Sequence, residues 1–166
     1  MNDRPSGLST DFTRDSLGED YAKEVFDYWL EARGTAMLPP TAAIDPTRLP
    51  SDCLPYLSLL EVEQEPLRLR SRLTGTALAE YWGTNQTGQY LDEIPGTSIQ
   101  LARLEWCVRE QRPTLSNSKV TFAPNDHKHY QSLVLPFGDP GFGVQRLLGV
   151  FSFLEGFNPT VSWTTR

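Results

Sequence analysis

Positive charge is scarce in this chain, and so are cysteine and histidine. Lys and Arg number 15 against 21 Asp and Glu, a formal net charge of −6 over 166 residues. Affinity for a phosphate backbone comes from clustered Lys and Arg, so this balance argues against a nucleic-acid partner. It argues equally against an anionic membrane surface. No apolar run approaches the roughly 18 residues that span a bilayer, and residues 1–20 contain no apolar stretch of the kind that marks a secretory signal. Cys53 and Cys107 are the only cysteines. Two thiols far apart in a chain without an export signal are expected to be reduced in a cytoplasmic protein, not bridged. Catalytic fingerprints are missing too: there is no Gly-x-Ser-x-Gly, no Walker-type loop and no Gly-x-Gly-x-x-Gly. No Ser, Cys or Thr has a base and an orienting group at a suggestive spacing. The expectation is a protein that binds and does not catalyse.

What the chain does contain is enough apolar matter for one core, 39% hydrophobic and 11% aromatic residues, in a length that suits one domain. Residues 1–18 are polar and read as a flexible arm contributing little to that core. From 19 to 34 the pattern becomes helical: Tyr21, Val25, Tyr28, Trp29 and Ala32 share a face, and Gly34 ends the run. Prolines 39, 40, 46, 50 and 55 then forbid regular structure over the connector 35–55. Such a connector either wraps the domain, pinned by Met37, Leu38, Ile44 and Leu49, or links a helical module to a domain.

Strand patterns follow at 56–62 and 67–74. In the second, Leu67, Leu69, Ser71 and Leu73 alternate with Arg68, Arg70, Arg72 and Thr74, one apolar face and one basic face. Short helical turns are expected around Ala77–Trp82 and Tyr90–Ile94, and a longer helix over 97–112. Three strands close the pattern, at 114–122, 130–137 and 145–154. Short turns between strands imply antiparallel pairing, so the expected class is α+β: five strands in one sheet, helices packed on one face and an N-terminal helix flanking it. The domain spans 19–155, and 156–166 form a polar tail. Asp126, His127 and His129 resemble part of a metal site, but the sequence has no further His to complete it. No metal is expected.

Several landmarks recur in a fixed order: Trp29 to Gly34, Leu38-Pro39, Ile44-Asp45-Pro46, Leu49-Pro50, then Arg70 through Gly75-Thr76, with Gly83, Thr87-Gly88 and Leu133-Val134-Leu135-Pro136 later. This succession resembles a PAS family common in alphaproteobacteria, over residues 21–155. The resemblance implies a sheet of strand order 2-1-5-4-3 with helices closing a pocket on one face. It implies a stand-alone sensor or interaction domain in bacterial signalling that binds a small molecule or a protein partner. The alternative is a ligand-free scaffold that homodimerises. PAS domains that bind flavin through light use a Cys within Gly-x-Asn-Cys, whereas Gly83-Thr84-Asn85-Gln86 has none; the helix 97–112 also lacks the His that serves haem. Flavin and haem are therefore disfavoured, and no cofactor is expected.

By the same resemblance, the pocket is expected to draw on Arg72, Trp82, Leu104, Val108, Tyr130 and Ser132, with Arg72 or Ser132 as polar anchor. The last strand is apolar on both faces, as a central strand should be. Phe151 and Phe153 are expected beneath Tyr28 and Trp29, in a dimer interface, or as plain core residues, and a homodimer is the expected assembly.

Overall fold

Helix α1 (Asp20–Arg33) forms because its apolar residues share one face: Tyr21, Ala22, Val25, Phe26 and Trp29 are buried, while Glu24, Asp27 and Glu31 are exposed. Asp20 in the first turn and Arg33 in the last suit the helix dipole. Gly34 ends it, donating its N–H to Leu30 O at 3.2 Å. In this computed structural model, residues 3–119 and 129–153 are described.

The strands are β1 (Leu8–Ser9), β2 (Leu57–Glu63), β3 (Arg68–Thr74), β4 (Thr114–Lys119), β5 (His129–Phe137) and β6 (Arg146–Phe153). They form one antiparallel sheet in the order β1-β4-β5-β6-β2-β3. The five strands read from sequence keep their expected order, and β1 is added outside β4. Two further helices, α2 (Thr76–Trp82) and α3 (Ser98–Glu110), follow β3 in the chain, separated by a short 3-10 turn at Leu91–Glu93. Among the described residues no helix is long and apolar enough to cross a membrane.

Side chains alternate across a strand, and that parity divides the sheet. Leu57, Leu115, Leu133, Leu135, Leu148 and Val150 face α1 and pack with Val25, Phe26 and Trp29. Trp29 is 1% exposed and its Nε1–H donates to Pro136 O at 2.8 Å. The opposite parity corrects the expected seat of Phe151 and Phe153. They lie on the other face, grouped with Tyr81, Tyr130 and Trp82, and not beneath α1. Tyr28 instead donates to Ala43 O at 2.8 Å, tying the helix to the proline-rich connector.

That connector wraps the domain. It folds into 3-10 turns at Thr41–Ala43, Pro46–Arg48 and Ser51–Tyr56. Leu49 and Cys53 are buried in the α1-facing core, Ile44 packs against it, and Leu38 joins a second apolar cluster. Met37, expected as a fourth anchor, is 66% exposed. The Asp139 carboxylate accepts the Thr41 N–H at 2.9 Å and so pins the connector to the β5–β6 turn.

Residues 3–18 are not a loose arm. Leu8 and Leu17 are buried, Phe12 meets Phe26 with ring centroids 5.3 Å apart, and β1 pairs with β4 through Leu8 and Ser9. The buried Gln131 amide accepts the Gly18 N–H at 2.8 Å and donates to Ser16 O at 3.0 Å. Sparse apolar residues without periodicity gave no sign of this, because each is held by a distant partner and not by a local element.

Candidate functional site

The sheet face turned away from α1 is not fully packed. It forms the floor of a cavity of about 490 Å³ roofed by α2, the segment around Leu91–Thr97 and α3. Strand parity dictates the floor. Thr114, Ser116 and Ser118 line it from β4, Tyr130, Ser132 and Val134 from β5, Leu147, Gly149 and Phe151 from β6, and Ser58 and Leu60 from β2. The register sets Ser116 opposite Ser132 and Ser132 opposite Phe151, with Thr114, Val134, Gly149 and Ser58 in the adjacent row. Glycine at 149 leaves room in the middle of this grid, part of it taken by the Phe151 ring.

Gly75 positions the roof. Its N–H donates to Leu57 O at 2.8 Å, and a Cβ there would collide with the Pro55 carbonyl. Only glycine lets the chain pass so close before turning into α2, which brings Tyr81 and Trp82 over the floor. Their rings meet those of the sheet: Trp82 sits edge-on to Phe151 at 5.4 Å, and Tyr81 edge-on to Tyr130 at 5.9 Å. Tyr81 and Phe153 are closer, at 4.2 Å. Burial holds the Tyr81 hydroxyl well above its ordinary pKa, so it stays a neutral phenol. At the other end Thr97 Oγ1 lies 2.8 Å from both Leu91 O and Ile94 O, fixing the turn that leads into α3. From α3, Gln100, Arg103 and Leu104 reach the cavity.

Of the residues expected in a pocket, Trp82, Leu104, Tyr130 and Ser132 line this cavity and Val108 and Arg72 do not. Val108 is buried with Leu60, Leu69 and Leu147 in the second apolar cluster. Arg72 sits where the β2–β3 register shifts: Leu59 pairs with Leu73 and Leu60 with Ser71, leaving Arg72 as the extra residue of a bulge. Its guanidinium reaches Glu61 instead, at 3.6 Å. Glu61 also accepts from Arg70 at 3.2 Å. Burial by itself would raise the Glu61 pKa, but the Arg70 hydrogen bond and the charges of Arg146, Arg70 and Arg72 hold it below the usual carboxylate range. The bulge also buries Thr74 and leaves Leu73 47% exposed, reversing the alternation read from sequence.

Residues that the sequence reading did not single out are Tyr81, Gln100, Arg103, Gly149 and the β4 hydroxyls. A period-two run of hydroxyl residues, Thr114-x-Ser116-x-Ser118, was the available signal for the last group. Both thiols are buried. Desolvation pushes Cys53 up to about 11 and Cys107 up to about 12, so neither supplies a thiolate at neutral pH. Among the described residues no group of His, Cys, Asp and Glu is placed to hold a metal ion. His129 opens β5 opposite Lys119; Asp126, His127 and Lys128 lie outside the described residues.

No solved structure matches the chain. A curated relative, altered inheritance of mitochondria protein 24, mitochondrial, from Blastomyces gilchristii (strain SLH14081), is 29% identical over 111 residues. That match covers 64% of this chain but only 28% of the relative's length. A PAS domain family profile matches residues 19–152, from the first helix to the last strand. With the strand order and the helix-roofed sheet already in place, the chain belongs to the PAS domain family.

Proposed function

We propose that this domain is a sensor module that binds a small molecule in the cavity between the sheet and helices α2 and α3, without catalysing a reaction. The supporting observation is the cavity itself. At about 490 Å³ it falls within the range of small-molecule sites, roughly 300–1,000 Å³, and it has their usual character of apolar walls with a few convergent polar groups. Its polar groups are hydroxyls, amides and one guanidinium, suited to holding a ligand and not to proton transfer or nucleophilic attack. The output is a shift in population between conformers of the sheet and its flanking helix, read by a protein partner in a cytoplasmic signalling pathway.

Native mass spectrometry of the gently purified protein tests this. A stoichiometric small molecule, released on unfolding, is the expected result. A protein that carries nothing, binds none of a diverse set of small molecules and forms a stable dimer would instead be a ligand-free scaffold.

A further inference from the structure

The cavity lining carries a chemical sign. Arg103 is its one formal charge among the lining residues; no carboxylate, lysine or imidazole is present there. The guanidinium is held in place by neutral acceptors: Nε and Nη2 donate to Ser6 O at 3.2 and 2.9 Å, and Nη1 donates to Ser118 Oγ at 2.7 Å. A guanidinium has further donors beyond these. Among the described residues no carboxylate pairs with it. In a protein of net charge −6, whose three β3 arginines, Arg68, Arg70 and Arg72, are paired with Asp92, Glu93 and Glu61, a cation with no carboxylate partner that lines an otherwise uncharged cavity is a binding feature for an anion.

The register says what lies next to it. Ser118, which holds the guanidinium, pairs across the sheet with Tyr130. Tyr130 belongs to the ring cluster with Tyr81 and Phe151, at centroid distances of 5.9 and 5.7 Å, and Trp82 meets Phe151 from the roof. The residue that anchors the cation and the residue that opens the aromatic wall thus sit on neighbouring strands of the same floor, their backbones about one strand spacing apart, on the order of 4.8 Å. We infer that the ligand is a monoanionic aromatic acid: a flat ring system seated among Tyr81, Trp82, Tyr130 and Phe151, with a carboxylate on a short arm reaching Arg103. This rests on the reading of the cavity as a ligand site. It adds the charge and the ring.

Calorimetric titration of the full chain with four probes separates these requirements. Indole-3-acetate has the ring and the anion, indole-3-acetamide the ring without charge, tryptamine the ring with a cation, and hexanoate the anion without a ring. Indole-3-acetate is expected to bind at least about tenfold more tightly than any of the other three, the factor that one charge-assisted hydrogen bond supplies. Arg103→Gln should bring indole-3-acetate to the affinity of the amide and leave the amide unchanged. Arg103→Lys, which keeps the charge and loses the fork, should fall between; amide exchange of β4 in both variants checks that the sheet is intact. Equal binding of the acetate and the amide, a preference for tryptamine, or hexanoate binding as tightly as indole-3-acetate overturns the assignment, as does a loss in Arg103→Gln that is the same for every probe. In those cases the cavity is still a ligand site of another class. If none of the four binds, the assignment to an aromatic acid fails, and the native mass spectrum of the purified protein then decides separately whether the cavity is a ligand site at all.

Discussion

Replacing Gly149 by valine separates a cavity kept open for a ligand from a packing defect. Gly149 lies in β6 with its missing side chain directed into the cavity, and an ideal Cβ would sit 3.2 Å from Phe151 Cε1 and 3.7 Å from Ser58 Cβ. The first contact is tight by a few tenths of an ångström, but it is made by the tip of a side chain that borders open space. Glycine inside a strand costs about 0.5–1 kcal/mol relative to alanine. The added carbons would be covered by Leu60, Val134, Leu147 and Phe151, at up to about 0.8 kcal/mol per methylene. Against this stands an overpacking cost of about 1 kcal/mol for shifting Phe151, the low end of the usual range. The net expectation is a domain equally stable or up to about 1.5 kcal/mol more stable, a rise in Tm of no more than about 6 °C for a chain of this size. Ligand affinity should move the other way, falling by at least about tenfold because the valine methyls occupy the ligand's volume. Thermal unfolding of the ligand-free protein and titration with indole-3-acetate give the two numbers. A variant destabilised by more than about 2 kcal/mol would show that the hollow is not real space. A stable variant that binds the probe undiminished would show that the probe sits elsewhere.

Trp29→Phe should cost about 2–4 kcal/mol in urea unfolding, since it strands the buried Pro136 carbonyl and removes part of a fully packed ring; a loss under about 1 kcal/mol would mean the 2.8 Å bond contributes little. A chain lacking residues 1–18 loses the burial of Leu8 and Leu17, about 1.5–3 kcal/mol each, and should show faster amide exchange along β4; unchanged stability would restore the view of this segment as a loose arm. Arg68 holds Asp92 with hydrogen bonds of 2.8 and 2.7 Å and stacks 3.7 Å above the Tyr90 ring, tying the Leu91–Glu93 turn to β3. The Arg68 hydrogen bond lowers the Asp92 pKa, so the contribution of the pair is present above the ordinary aspartate value of about 3.9 and is lost as pH falls through the lower folded value. The Tyr90 ring resonances, followed by NMR during acid titration, should shift below that ordinary value in the parent and stay flat in Arg68→Gln.

Much of this fold was legible because its signals are local. The α1 face, the paired prolines, the alternation in β3 and the turn residues between strands all act over a few positions, and the element bounds fall within a few residues of those read from sequence. The misses share a different cause. Arg72 was expected as a polar anchor of the cavity from the family resemblance; the bulge that displaces it depends on pairing with β2, which no single strand reveals. Val108 follows Leu104 by one helical turn and shares its face, but by that turn α3 has moved past the cavity and over the packed part of the sheet. Strand β1 has two residues and no pattern at all. Arg103 looks like any polar residue on an amphipathic helix until the Ser6 carbonyl and Ser118 hydroxyl are brought to it from 97 and 15 positions away.

A sensor needs its ligand to be felt outside the pocket, and here the distance is one residue. The Phe151 ring lines the cavity, while the carbonyl of the same residue accepts the Tyr21 hydroxyl from α1 at 2.6 Å. Burial keeps that hydroxyl protonated, far above its ordinary pKa, so it is a permanent donor. An occupant that turns the Phe151 ring or draws β6 toward the roof therefore works against this bond at the first turn of α1, next to the Gly18 and Ser16 contacts with Gln131. A ligand moves such an equilibrium only by its difference in affinity for the two arrangements. A tenfold preference, about 1.4 kcal/mol, is comparable to the worth of one hydrogen bond, about 0.5–1.5 kcal/mol. Breaking or keeping the Tyr21 bond is thus a change that ligand binding is able to drive. Tyr21→Phe removes the donor while leaving the ring and the cavity in place, so it should preserve affinity for indole-3-acetate within about threefold. It should also abolish any ligand-dependent change in amide exchange at the start of α1. If that change survives in Tyr21→Phe, the signal reaches the helix by some route other than Phe151.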